Sequence, residues 1–364
     1  MMTTRKEPLL RIAKRDSIAA PKAYTIRIAA VLLALAVSGL FIFAVTRLDP
    51  VKVFEAMFNG AFGTNRRSWV TIRDAMMLLC IGVGLAPAFK MRFWNIGAEG
   101  QILVGAIVTA GLMRALGGDL STPLLLVVMA CLSLLVGALW GVIPATFKAL
   151  WNTNETLFTL MMNYVAIQLT SYAVALWENP VGSNTVGVIN QQTKDGWFPA
   201  VFGQVYGLNV LIVAALAIGM YLYLKYSKQG YEISVVGDSV NTARYAGINV
   251  KKVTIRTMAI SGAICGLAGF IAVAGASHSI SAATAGGRGF TAIIVAWLSK
   301  FNSFVMVLIS FLLVFLEKGS VQIASQFNLN DYASSIITGI ILFFILGSEF
   351  FINYRLILRT GKEA

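Results

Sequence analysis

Long apolar runs recur along nearly the whole chain, separated by short segments that hold most of the charge. About 20 apolar residues in an α-helix cross the hydrocarbon of a bilayer, and only helices or closed barrels satisfy their backbone groups there. The runs fall at 28–46, 73–89, 101–116, 123–147, 155–177, 208–226, 253–276, 290–298, 304–316 and 332–351. They predict an all-α, polytopic membrane protein of about ten transmembrane helices. Composition agrees: 57% of the 364 residues are hydrophobic and 12% charged, too little charge for the surface of a water-soluble domain.

Charge sets the orientation. Arg5, Lys6, Arg11, Lys14, Arg15, Lys22 and Arg27 precede the first run, which is too long for the core of a cleaved signal peptide. The expected organisation is a basic cytoplasmic tail over 1–27, a membrane domain over 28–352 and a second basic cytoplasmic tail over 353–364. An even number of spans returns both tails to one face. Lys90 and Arg92, the polar stretch 227–252, and Arg355, Arg359 and Lys362 fall on that same face, which the positive-inside rule assigns to the cytoplasm. Arg47, Lys52, Arg66 and Arg67 fall on the other face and run against the rule. The longest external loop is 178–207, rich in Asn, Gly and Pro without helical periodicity.

The net charge of +13 is accounted for by these loops and tails, and no basic face interleaved with aromatics points to nucleic acid. Cys80, Cys131 and Cys265 sit singly in apolar runs without metal spacing, and His278 is the sole histidine, so a histidine-based zinc site or catalytic triad has little material. No phosphate-binding loop of the G-x-x-x-x-G-K-[ST] form occurs.

Three segments carry polar groups where a membrane protein tolerates few. In the first, Asn95, Glu99 and Gln101 stand among glycines between two apolar runs. Either a broken helix lines a solute path, or an interfacial turn leaves Glu99 solvated or paired with Lys90 or Arg92. In the second, Asn154 is placed to cap the fifth run, with Glu155 favourable to the helix dipole. Asn163 and Tyr164 lie two turns deeper, where Asn163 either bonds a neighbouring helix or faces the path. An amide beside a ring suits a neutral, hydroxyl-rich or base-bearing solute.

The third segment is Asp238, Ser239, Val240, Asn241, Thr242, Ala243, Arg244, Tyr245, Ala246, Gly247 and Ile248. Asp238 or Ser239 is placed to open a short helix and Gly247 to end it. It reads either as a solvated connector or as a lever seated in a partner's groove. Near the external ends of spans, His278 reads as a surface imidazole and Glu317 with Lys318 as an interfacial pair or wet.

Two breaks open with glycine clusters, Gly97-Ala98-Glu99-Gly100 near the cytoplasmic face and Gly286-Gly287-Arg288-Gly289 near the outer one. Inverted repeats place breaks in this way, with the substrate at their interface. Chance is the competing account in a chain of 33 glycines.

These residues together resemble the integral-membrane subunits of bacterial ABC importers in the ribose/branched-chain-amino-acid permease superfamily, closest to its nucleoside and simple-sugar branch. Phe93 to Gln101 is similar to the branch's F-N-I-G-x-E-G-Q segment, and Asn154 to Tyr164 to its N-E-x-x-x-x-x-M-x-N-Y helix. Ala243 to Ile248 is similar to its coupling segment, and Gly289 to Leu298 to its G-F-x-x-I-x-V-A-x-L run. Trp94, the Gly237-Asp238-Ser239 entry and the Lys300–Ser303 turn depart from the usual pattern.

The resemblance implies a type II importer-like fold and a transport subunit that is not itself an enzyme. It implies a second permease subunit, identical or paralogous, and separate ATPase subunits that bind ATP and Mg, with no cofactor in this chain. An extracytoplasmic solute-binding protein would deliver a nucleoside or simple sugar. Asn95, Glu99, Gln101, Asn163 and Tyr164 would line the path, and Asp238 to Ile248 would couple to the ATPase. The chain would lie in the cytoplasmic membrane of a bacterium. A branched-chain amino-acid permease is the nearest alternative. An ion-coupled secondary transporter is a further one, for which Asp74 and Glu99 are the candidate carboxylates. An integral-membrane enzyme lacks clustered acid–base or metal-binding residues.

Overall fold

The computed structural model describes residues 10–15 and 20–358, so parts of both predicted tails lie outside the described residues. Most of what is described is helix. In chain order the elements are β1 (Leu10–Lys14), α1 (Ala20–Thr46), α2 (Pro50–Phe62), α3 (Asn65–Lys90), α4 (Ala98–Leu116), α5 (Thr122–Trp151), α6 (Glu155–Trp177) and α7 (Gly207–Tyr226). After these come α8 (Lys228–Asp238), α9 (Val240–Tyr245), α10 (Val250–Ala272), a π-helical turn (Val273–Ser277), α11 (Arg288–Leu298), α12 (Ser303–Phe327), α13 (Asp331–Asn353) and β2 (Tyr354–Leu358). Among the described residues, eight helices are long and apolar enough to cross a membrane, and two shorter apolar helices lie at Arg288–Leu298 and Gly339–Ile352. All ten runs expected from sequence are therefore helical.

Local chemistry starts and stops these helices. Asp49 caps α2, accepting from the Val51 amide with Pro50 in the first turn. Asn154 caps α6 through the Thr156 and Leu157 amides at 3.0 and 3.2 Å, as expected. Asn249 caps α10 through Lys252, and Asn152 ends α5 in the left-handed conformation.

Several boundaries differ from expectation for physical reasons. α2 differs from a span because it is short and amphipathic: Lys52, Glu55 and Asn59 lie on its exposed side, opposite buried Val53, Ala56, Met57 and Ala61, so no continuous apolar run marks it. The 227–252 stretch is mostly helical rather than a loop, and α12 runs past Leu316 through polar residues to Phe327. Of the 178–207 segment, residues 178–206 form turns without an α-helix, and Gly207 already opens α7.

The chain divides into two compact units, one made of the residues up to Arg67 and from Phe315 on, the other of Ser68–Val314. In the first, β1 pairs antiparallel with β2, Leu10 opposite Leu358 and Lys14 opposite Tyr354, and α1 packs along α13. Phe62 stacks on Phe315, and Gly319 gives Met57 of α2 room against α12.

In the second unit α10 is the central post, packed on α5 and α4. Glycines let these backbones touch. A Cβ at Gly137 would meet the Gly262 carbonyl oxygen, one at Gly105 the Gly266 carbonyl, and one at Gly269 the Ile102 carbonyl. Small residues four apart are how helices approach closely where the surrounding lipid is as apolar as their side chains.

Two helix pairs in this unit are broken. The chain leaves α3 at Lys90, turns back through 91–97 and resumes as α4. It leaves α10 through the π-helical turn, returns through 278–287 and resumes as α11. α11 then runs beside α3, with Arg288 near Asp74, Val295 against Gly82 and Trp297 against Phe89.

Candidate functional site

The two breaks meet inside the bundle. The Asn95 amide donates to Ser261 at 3.2 Å, and Ser261 stands about 16 Å along α10 from Val250 at 1.5 Å per residue. Half a bilayer core is about 15 Å, so the α3–α4 break reaches membrane depth. Glu99, in the first turn of α4, is buried there. Its Oε1 accepts from the Gly287 amide at 2.7 Å and its Oε2 from the Gly289 amide at 2.9 Å. One carboxylate thus occupies the amino-terminal ends of two helices, where exposed amides and the helix dipoles both favour negative charge. Glu99 is neither solvated nor paired with Lys90 or Arg92, which corrects the interfacial-turn alternative.

The remaining polar residues close around this joint. Asn95 exchanges contacts with Gln101 and accepts from the Gly97 amide through Oδ1. Asn163 takes the neighbour-bonding alternative: Oδ1 accepts from Gly100 at 2.8 Å and Nδ2 donates to the Ile96 carbonyl at 2.9 Å. Thr159 accepts from the Ile96 amide. The break is therefore a turn held by side-chain hydrogen bonds from Asn95, Thr159 and Asn163. Tyr164 stands apart, 60% exposed on the outward side of α6.

Above α11 lies a cavity of about 390 Å³. Its walls include Arg73, Asp74, Asn209 and Arg288. Asp74 is 1% exposed; Arg73 pairs with its Oδ1 at 2.8 Å, and Arg288 lies 3.4 Å from its Oδ2. Arg73 also donates to the Tyr206 hydroxyl. Sequence reading missed Arg73, Thr159, Asn209 and Ser261. Asn209 had the same signal as Asn163, an amide within an apolar run; the others had none.

Beside the cavity, the loop before α7 is pinned to the π-helical turn. Trp197 stacks on His278 with ring centres 3.7 Å apart, and the Phe198 amide donates to the Ala274 carbonyl. His278 is half-buried rather than a free surface imidazole, and burial pushes its pKa down to about 4.

At the opposite end of α10, the short helix α9 forms as its caps predicted. Ser239 accepts from the Thr242 amide at 3.2 Å, and Gly247 follows Ala246 at φ +74°. Ala243 is buried, whereas Tyr245 is 94% exposed and Asn241, Thr242 and Arg244 are exposed beside it. A cleft of about 860 Å³ opens alongside, lined by Asp238, Ser239, Arg244 and Ile248 on one wall and by Arg92, Lys148 and Glu155 on another. Glu155 is held by Lys148 at 2.9 Å.

Residues 70–346 match the family described as branched-chain amino acid transport system / permease component. The chain belongs to this family. It is a multi-pass membrane protein and a transport component.

The glucose ABC transporter permease protein TsgB13 of Haloferax volcanii is 32% identical over 98% of this chain and 96% of its own length. The guanosine ABC transporter permease protein NupP of Bacillus subtilis is 31% identical over 88% of this chain and 92% of its own. The probable riboflavin import permease protein RfuC of Treponema pallidum is 25% identical over 80% of the chain and 77% of its own. No solved structure matches the chain. In this permease the family match takes in both broken-helix pairs and α9.

Proposed function

We propose that this permease is the membrane subunit of an ATP-binding-cassette importer that carries a nucleoside or simple sugar by alternating access. It works beside a second permease subunit, is driven by separate ATPase subunits that bind ATP and Mg, and is supplied by an extracytoplasmic binding protein. It lies in the cytoplasmic membrane with both termini on the cytoplasmic side. The observation that carries the reading is α9, a capped helix with an almost wholly exposed tyrosine over an open cleft. Such a helix suits a partner's groove. The sequence contains no phosphate-binding loop, so the driving nucleotide belongs to the partner. The solute class follows from the glucose and guanosine permeases, which align over nearly the full chain.

Ion coupling is disfavoured because both carboxylates it would use are engaged, Glu99 by two amides and Asp74 by two arginines. The test is uptake of labelled guanosine and glucose by the reconstituted complex. Arg244→Glu combined with Gly247→Pro abolishes uptake while the protein still inserts. Normal uptake by that variant removes α9 from the coupling path, and accumulation of solute by the chain without ATPase subunits removes the importer reading itself.

A further inference from the structure

The residues above α11 have no part in the coupling just described, yet they form a built site. The cavity of about 390 Å³ is of the size that holds small organic molecules. Its apolar side is Met77, Ile271, Ala272 and Ile280. Its polar side is unevenly satisfied. Asn209 is 1% exposed; its Nδ2 donates to the Gly275 carbonyl at 3.1 Å, and its Oδ1 has no partner among the described residues. A buried acceptor without a donor is unusual and costly. Gly275 belongs to the π-helical turn, and such turns concentrate at functional sites.

Among the described residues, Arg288 makes a single polar side-chain contact, the 3.4 Å approach to Asp74, longer than the roughly 2.7–2.9 Å of a committed charge-assisted bond. Its other N–H groups remain for a guest. Among the described residues, Asp74 is the sole carboxylate in the lining, and two guanidinium groups already hold it. A guest bearing an ammonium group finds no anion to meet it.

We propose that this cavity is the outward-facing solute site and takes an uncharged, hydroxyl-bearing molecule, which donates to Asn209 Oδ1 and accepts from Arg288. The assignment rests on the importer reading above and adds the place and polarity of binding. It puts the solute against Arg288, which stands between the two glycine amides that hold Glu99.

The full complex with its ATPase chains and binding protein, reconstituted in liposomes, tests it. Two single variants are made. Ala283→Cys places a thiol at an exposed position of the lining, and Asn209→Leu removes the acceptor. Guanosine, glucose and leucine are the probes. Guanosine or glucose is expected to slow labelling of Ala283→Cys by an impermeant thiol reagent, with the Cys131-containing wild type as background. Asn209→Leu is expected to raise the uptake KM about tenfold, the loss of one buried hydrogen bond. If Asn209→Leu fails to insert, the Ala283→Cys labelling decides alone. Uptake of either solute with labelling and KM unchanged overturns the site while leaving the importer reading intact. Uptake and protection by leucine alone overturns the solute class. Uptake of none of the probes by an ATP-hydrolysing complex overturns the importer reading and this site with it.

Discussion

Glu99 has both carboxylate oxygens committed to main-chain amides of another helix. Replacing it with Gln keeps the shape but turns an acceptor into a donor, which leaves Gly287 or Gly289 without a partner. An unsatisfied buried amide costs about 1–3 kcal/mol. Glu99→Gln is therefore expected to lower the midpoint of thermal unfolding in detergent and to depress uptake; a midpoint equal to wild type would show that the joint is not held by this carboxylate. His278 makes a prediction of opposite chemistry. Its folded pKa, about 4, lies below the ordinary 6.5 because burial disfavours the charged ring. Between those values the unfolded chain binds the proton and the folded one does not, so stability is full above pH 6.5 and declines as pH falls towards 4. His278→Phe should flatten that part of the stability–pH curve, and an unchanged slope would assign it to other groups. Neither role was legible from composition. Glu99 lies 188 residues from Gly287 in the chain, and no local pattern announces such a pairing.

At the scale of elements, the sequence was a good guide where one residue decides the outcome locally. Asn154, Ser239 and Gly247 are placed where capping chemistry requires them, and α6 and α9 begin and end accordingly. It was a poor guide where tertiary packing decides. α2 and α8 are too polar to register as spans, and the π-helical turn has no signature of its own. The glycine seam lies between these cases, for the residues are visible but their partners are not. Gly105→Ala sets a methyl on the Gly266 carbonyl oxygen, whereas a Cβ at Gly219 has nothing within 4 Å. Overpacking of this kind costs about 1–3 kcal/mol. Gly105→Ala should destabilise and Gly219→Ala should not; equal melting of the two variants would mean that α4 and α10 adjust freely.

At the scale of the molecule, α9 and the solute cavity stand at opposite ends of α10, which is about 34 Å long at 1.5 Å per residue over its 23 residues. That length matches a bilayer core of about 30 Å. An impermeant thiol reagent should therefore label Tyr245→Cys from one side of sealed vesicles and Ala283→Cys from the other. Labelling of both from one side would contradict the span assigned to α10. Alternation of apolar runs and charged loops made this arrangement readable in advance, because the bilayer imposes it on any chain of such composition. The meeting of the two breaks was only half readable: glycine clusters marked both, but the charge that joins them belongs to one.

The pairing of β1 with β2, and of α1 with α13, has a consequence for biogenesis. Among the described helices, α1, early in the sequence, is packed against α13, late in it. Throughout synthesis α1 waits in the lipid without its neighbour, and contacts so distant in sequence form slowly. A chain cut short before Asp331 would leave α1 without α13, so quality control of this protein has a simple criterion: whether these two helices have met.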